Sequence, residues 1–98
     1  MLVPIACWRD PAGELRAAAP DIASSELAAA SEQRLLPMVR LAIEESLTAA
    51  LAAGRPLPDT RDGVPPPGYP AKPGLHWLTI HINLDHLRAL AAHQRGRA

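Results

Sequence analysis

The sequence predicts a single α+β domain over residues 1–98, with a small mixed β-sheet, one crossover helix and a short C-terminal helix. Three observations lead to this fold class: a turn signal at 10–13, an amphipathic segment that ends at Gly54, and a strongly alternating segment at 75–85. The resulting order is strand, strand, short strand or turn, helix and strand. A chain of this length can bury one helical layer on one sheet, but it is marginally stable as a monomer.

A β-hairpin is predicted at the N-terminus. Residues 2–8 alternate in a strand pattern, with Val3, Ile5 and Cys7 on one face. The segment 10–13 then suits a type I turn, because its aspartate, proline and glycine stand where that turn favours them. The return strand at 14–19 is rich in alanine, which has low β propensity, so partner strands must stabilise it.

Residues 21–36 allow two predictions. Helix propensity alone favours a helix over residues 23–36, whereas a short strand would precede a helix that begins later. Ser31 is a good N-cap, but Pro37 then lies inside the helix and removes a backbone hydrogen bond to Gln33. The helix therefore either kinks at Pro37 or has its regular part begin there.

The central helix is amphipathic and is followed by a proline-rich connector. Gly54 with Pro56 behind it is a typical helix end. Residues 55–75 contain seven of the eleven prolines, which predicts a semi-rigid connector of polyproline type, although the same composition occurs in ligands of recognition domains. The apolar stripe of the helix consists of Val39, Ile43, Leu47 and Leu51.

The strongest predicted strand covers residues 75–85. Its two faces are an apolar set (Leu78, Ile80, Ile82, Leu84) and a polar set (Trp77, Thr79, His81, Asn83, Asp85). Asn83 or Asp85 could then cap a short helix over residues 86–93, with Leu87, Leu90 and Ala91 facing inward. Residues 94–98 are expected to form a frayed tail.

This order of elements, with its punctuation residues, resembles the HicB-like antitoxin family. The similar motifs are 10–13, Pro20-Asp21-Ile22, Ser31, Ala42-Ile43-Glu44, Gly54-Arg55-Pro56-Leu57-Pro58 and Ile80-His81-Ile82-Asn83-Leu84-Asp85. Three features depart from the family pattern. The usual Pro-Gly-Cys is replaced by Ala23-Ser24-Ser25, Pro37 interrupts the helix, and no recognisable DNA-binding segment follows the last strand.

The resemblance implies a β-β-β-α-β partial ribonuclease H-like domain in which residues 25–28 form a short third strand. Because a helix separates the hairpin from the last strand, a right-handed crossover would set that strand parallel to the first, with sheet order 3-2-1-4. In function, the resemblance implies a non-enzymatic module that neutralises a small HicA-like ribonuclease toxin by occlusion. The alternatives are a structural or adaptor protein with an unrelated partner and, less favoured, a divergent metal-dependent nuclease.

Composition restricts the partners. Ten basic and ten acidic residues give a formal net charge of zero, so we expect at most weak nucleic-acid binding and no membrane binding. Cys7 is the single cysteine and no signal peptide or membrane span is evident, so we expect a cytoplasmic protein. A small domain with an exposed sheet edge is also expected to form a homodimer.

Partner binding is assigned to Trp77, Thr79 and His81, because an aromatic ring beside a histidine and a hydroxyl group is typical of interfaces. Trp77 could equally cover a neighbouring strand or the connector.

No cofactor, metal site or catalytic residue is predicted. His76 and His81 lie on opposite faces of a strand, and no cysteine accompanies the histidines. A metal-dependent nuclease needs several converging carboxylates, whereas only Glu44 and Asp85 stand at suitable positions. Cys7 lies among apolar residues and is expected to be a small core residue.

Overall fold

The computed structural model describes the backbone of residues 1–95 and the side chains of residues 1–22 and 26–94. These residues form one four-stranded sheet, of order β3-β2-β1-β4, with two α-helices packed against one face. The α+β class and the predicted order of the four strands are confirmed. The elements are β1 (Leu2–Arg9), β2 (Leu15–Ala19), β3 (Ala23–Ala29), α1 (Glu32–Ala52), a 3₁₀ turn (Arg61–Gly63), β4 (His76–His81) and α2 (Leu84–Arg95).

The predicted hairpin forms as the turn chemistry requires. The Gly13 N–H donates to the Asp10 carbonyl at 2.9 Å, and Gly13 has a φ of +86°, which glycine adopts without strain. One Asp10 carboxylate oxygen accepts the Glu14 N–H at 3.0 Å and the other accepts Arg16 Nε at 2.9 Å. The bond from Arg16 lowers the pKa of Asp10. The side chain of Asp10 therefore fixes both the turn and the start of β2.

The ambiguous segment divides into a strand and a helix. Residues 23–29 pair antiparallel with β2, so the helical alternative for them is wrong and the third strand is longer than 25–28. Helix α1 begins at Glu32. Ser31 is its N-cap, as predicted, and the Ser31 Oγ accepts a hydrogen bond from the Arg34 N–H at 3.3 Å. Pro37 lies inside this helix rather than at its start. The turn before Pro37 is retained because Leu35 is fully buried in the core.

The core lies between the inner face of the sheet and the two helices. The predicted α1 stripe faces this layer, and Ile43 has no exposed surface. On β4, Leu78 and Ile80 point inward, as the alternation predicts; Ile82 and Leu84, which lie beyond the end of the strand, also pack against the core. The buried members of the core are Val3, Ile5, Cys7, Leu15, Ala17, Ala19, Leu35, Val39, Ile43, Leu47, Ile80, Ile82 and Leu87.

The last strand corrects the prediction of a parallel strand and a mixed sheet. Strand β4 runs antiparallel to β1, with Leu2 opposite His81 and Cys7 opposite His76. The start of β4 therefore lies beside the end of β1. The sheet is antiparallel throughout, and the ribonuclease H-like classification is not confirmed.

The connector explains this reversal. Near the start of β1, Thr60 Oγ1 donates to the Leu2 carbonyl at 2.6 Å, while the Lys72 ammonium lies 4.5 Å from the centre of the Trp8 ring, near the end of β1. Between these points the chain has crossed the outer face of the sheet along the length of β1. A helix alone would have returned the chain for a parallel strand, but helix plus connector returns it for an antiparallel one.

Specific contacts hold the connector on the sheet. The Arg61 guanidinium donates to both carboxylate oxygens of Asp21, each at 2.7 Å. The Tyr69 ring meets the Trp77 ring edge-on, with centroids 5.1 Å apart. Apart from the 3₁₀ turn, the connector has no regular structure, as predicted. It covers a second, smaller apolar cluster on the outer face, made of Ala6, Trp8 and Ala18 with Tyr69, Leu75 and Trp77 packed against it.

The C-terminal elements differ in length from the prediction. Strand β4 stops at His81, and α2 begins at Leu84 after the Asn83 side chain has accepted the His86 N–H at 3.2 Å. Residues 94 and 95, expected in a frayed tail, belong to α2, while residues 96–98 lie outside the described part of the chain. Leu87 and Ala91 face inward as predicted, but Leu90 is 43% exposed.

Candidate functional site

The three residues predicted to bind a partner lie together on the outer face of β4. Trp77 is half-buried and its ring packs against Tyr69 of the connector. Of the two roles considered for Trp77, partner binding and covering of a strand or the connector, this contact is the second. Thr79 and His81 are exposed. Their side chains therefore leave only part of this face available to a partner.

The backbone groups of the same residues point away from the sheet, as the hydrogen-bond ladder between β1 and β4 shows. The Met1 amino group donates to the Ile82 carbonyl at 2.9 Å, and the Ile82 N–H donates to the Met1 carbonyl at 2.7 Å. Hydrogen-bonded pairs alternate along an antiparallel ladder, so the backbone N–H and C=O groups of the even-numbered residues of β4 point towards β1. Pro4, which has no N–H, lies opposite Thr79, as suits a pair without hydrogen bonds. The backbone groups that point away from β1 belong to Trp77, Thr79 and His81.

These outward groups form the free edge of the sheet, since β4 is the outermost strand. Within residues 1–95, one hydrogen bond reaches this edge: Arg40 of α1 donates to the His81 carbonyl at 2.8 Å. A carbonyl oxygen has two lone pairs, so His81 can accept a second bond. The edge thus presents donors and acceptors with the spacing of a β-ladder.

The free edge of β4 also lacks the features that usually protect edge strands. Its sequence, His-Trp-Leu-Thr-Ile-His, contains no proline, lysine or acidic residue, and its pairing with β1 is regular. The opposite edge strand, β3, has an irregular register with β2 between Ala17 and Ala19 and carries Glu26. Of the two edges, β4 is therefore the better template for another strand.

A shallow cleft runs beside this edge on the helical side of the sheet. Its volume is about 340 Å³, and its walls are Leu36, Pro37 and Arg40 of α1 and the end of β4. An added strand would direct every second side chain into this cleft. Sequence reasoning did not assign these helix residues to the site. The spacing 36, 37, 40 is the signal that could have identified them, because it places the three side chains on one face of α1.

The carboxylates considered for a nuclease are placed separately. Glu44 lies in the groove between the helices, whereas the Asp85 side chain is 95% exposed in the first turn of α2 and pairs with Arg88 at 3.4 Å. In the part of the chain that the structure describes, no group of three His, Cys, Asp or Glu side chains could hold a metal ion.

Cys7 is a core residue, as predicted. Its side chain is fully buried in the inner layer of the sheet. Burial raises the pKa of the thiol to about 11, so the thiolate is disfavoured at neutral pH.

The chain was compared with known proteins. Neither the protein-family models nor the curated proteins contain a match to it. For residues 1–95, neither helix is long and apolar enough to cross a membrane.

Proposed function

We propose that this protein is a non-enzymatic protein-binding module that forms a homodimer through β4 and blocks a partner protein by occlusion. The observation that carries the proposal is the free edge of β4, where Trp77, Thr79 and His81 direct their backbone groups away from the sheet. Strand addition at such an edge gives affinity through main-chain hydrogen bonds.

A two-fold axis at Thr79 makes this edge self-complementary. The two β4 strands would run antiparallel, with Thr79 opposite Thr79 of the second copy and Trp77 opposite His81 of the second copy. Each of these pairs exchanges two hydrogen bonds, about six in total. The contact is closed by its symmetry, and it joins the two four-stranded sheets into one.

The partner class comes from the sequence resemblance. A HicB-like antitoxin would neutralise a small HicA-like ribonuclease toxin in the cytoplasm. The resemblance implies a partial ribonuclease H-like domain, whereas β4 runs antiparallel to β1 and not parallel as the crossover rule predicts. This departure favours a second candidate, an adaptor with the same dimer and an unrelated partner. Co-expression of this protein with a HicA-like toxin in a bacterial host separates the two candidates. An antitoxin would restore growth of the host, whereas an adaptor with an unrelated partner would not.

Proline at position 79 tests the dimer. We expect wild-type protein to sediment as a dimer and Thr79→Pro to sediment as a monomer with an unchanged circular dichroism spectrum. The Thr79 N–H faces the free edge, so its loss removes no bond within the monomer. Thr79→Val is the matched control, since it keeps the N–H and should remain dimeric. A folded Thr79→Pro variant that dimerises as tightly as wild type would contradict the proposal.

A further inference from the structure

Helices α1 and α2 pack against each other and leave an open groove between them. The groove has a volume of about 370 Å³. Leu87, which is almost fully buried, lies at its base together with Thr48. The groove belongs to the helical layer, so it is separate from the free edge of β4.

The walls of this groove carry leucines that the fold leaves exposed. Leu41 of α1 is 57% exposed and Leu90 of α2 is 43% exposed. Met38, at 42% exposure, precedes Leu41 by three residues on α1 and extends the apolar strip. Single exposed leucines are common, but an apolar strip along a groove is typical of an interaction site.

The rim of the groove is acidic. Glu44 and Glu45 both line it, and within the described residues neither carboxylate has an ion pair or a hydrogen bond. No lysine or arginine is among the lining residues; the other polar groups are Thr48, His86 and Gln94. A partner that fills this groove would therefore gain from cationic side chains beside its apolar ones.

We propose that the groove between α1 and α2 binds an amphipathic helix of the partner protein, with apolar side chains flanked by lysine or arginine. A helix fits better than a strand, because the walls are helices whose backbone groups are already paired. The α1 wall from Leu41 to Ala49 is about 12 Å long, and Met38 extends the apolar strip to about 16 Å, which matches a helix of about three turns. The inference rests on the proposed function, since it specifies which part of the partner is bound.

Two synthetic helical peptides test the groove by fluorescence anisotropy. One has leucines at positions i, i+3 and i+7 flanked by lysines, and the other has glutamates in place of the lysines. We expect wild-type protein to bind the lysine peptide at least about tenfold more tightly than the glutamate peptide. Equal affinities would overturn the proposal.

Matched variants locate the binding. Leu41→Gln and Leu90→Gln should each weaken binding of the lysine peptide about tenfold, and Glu44→Gln should weaken it about threefold and reduce its salt dependence. The controls are Val64→Gln, an equally exposed apolar residue on the connector, and Glu14→Gln, an exposed carboxylate on the hairpin. If the controls weaken binding as much as the groove variants do, the proposal fails.

The Thr79→Pro variant separates this inference from the dimer. We expect it to bind the lysine peptide as tightly as wild type, because the groove does not include β4. A groove that takes a second copy would instead give a monomeric Leu41→Gln variant and a dimeric Thr79→Pro variant. That result would overturn both proposals, whereas wild-type protein that forms the β4 dimer but does not bind the lysine peptide would overturn the groove proposal alone.

Discussion

Ile43→Ala is expected to lower the free energy of unfolding by about 2–5 kcal/mol. Ile43 is fully buried at the middle of the α1 stripe, in the same core cluster as Ile5 and Ile80. Its truncation removes apolar contacts and leaves a cavity that the sheet cannot fill. Small domains have about 5–15 kcal/mol of stability in total, so a urea titration should show a greatly lowered midpoint.

Two further variants test whether the effect of Ile43→Ala comes from loss of a core side chain. Ile80→Ala, on the strand that faces α1, should have an effect of similar size. Glu45→Ala is the matched control on the same helix, because Glu45 is exposed and should change stability by less than about 0.5 kcal/mol. Equal effects of all three substitutions would mean that the buried face of α1 is wrongly assigned.

Gly63→Ala should destabilise the protein by about 2–4 kcal/mol through two separate causes. Gly63 has a φ of +84°, which disfavours any residue with a side chain. In addition, a Cβ atom at this position would lie 2.9 Å from Thr79 Cγ2 and 3.2 Å from Leu2 Cβ. Thermal unfolding followed by circular dichroism measures the combined effect.

Gly54→Ala measures the cost of the positive φ angle alone. Gly54 has a φ of +71°, and a Cβ atom at this position would meet nothing within 4 Å, so its substitution should cost about 1 kcal/mol. Adding Thr79→Ser to Gly63→Ala removes Cγ2 and should recover part of the loss. If Gly63→Ala costs no more than Gly54→Ala, the connector does not cross β1 and β4 where the structure places it.

Local signals predicted most of the elements. The turn at 10–13, the Ser31 cap and the α1 stripe each depend on residues close in sequence, and the structure confirms all three. The direction of β4 depends instead on where the connector runs. Contacts such as Arg61 with Asp21, 40 positions apart, determine that path, and a proline-rich composition does not reveal them.

The candidate site was predictable only in part. The period of two placed Trp77, Thr79 and His81 on one face of a strand. That their backbone groups are free depends on β4 lying at the edge of the sheet and on its register with β1, which are tertiary properties. The exposure of Leu90 likewise results from how α2 packs on α1, because helical periodicity alone placed it inward.

The most direct test of the central claim is amide hydrogen exchange in β4, measured by NMR at low and high protein concentration. In dilute monomer, the Trp77, Thr79 and His81 amides should exchange rapidly, while those of Leu78 and Ile80, which point towards β1, should exchange slowly. At high concentration the three fast amides should become protected as the dimer forms. Fast exchange of all three at every concentration would contradict binding through β4, and slow exchange in the monomer would contradict a free edge.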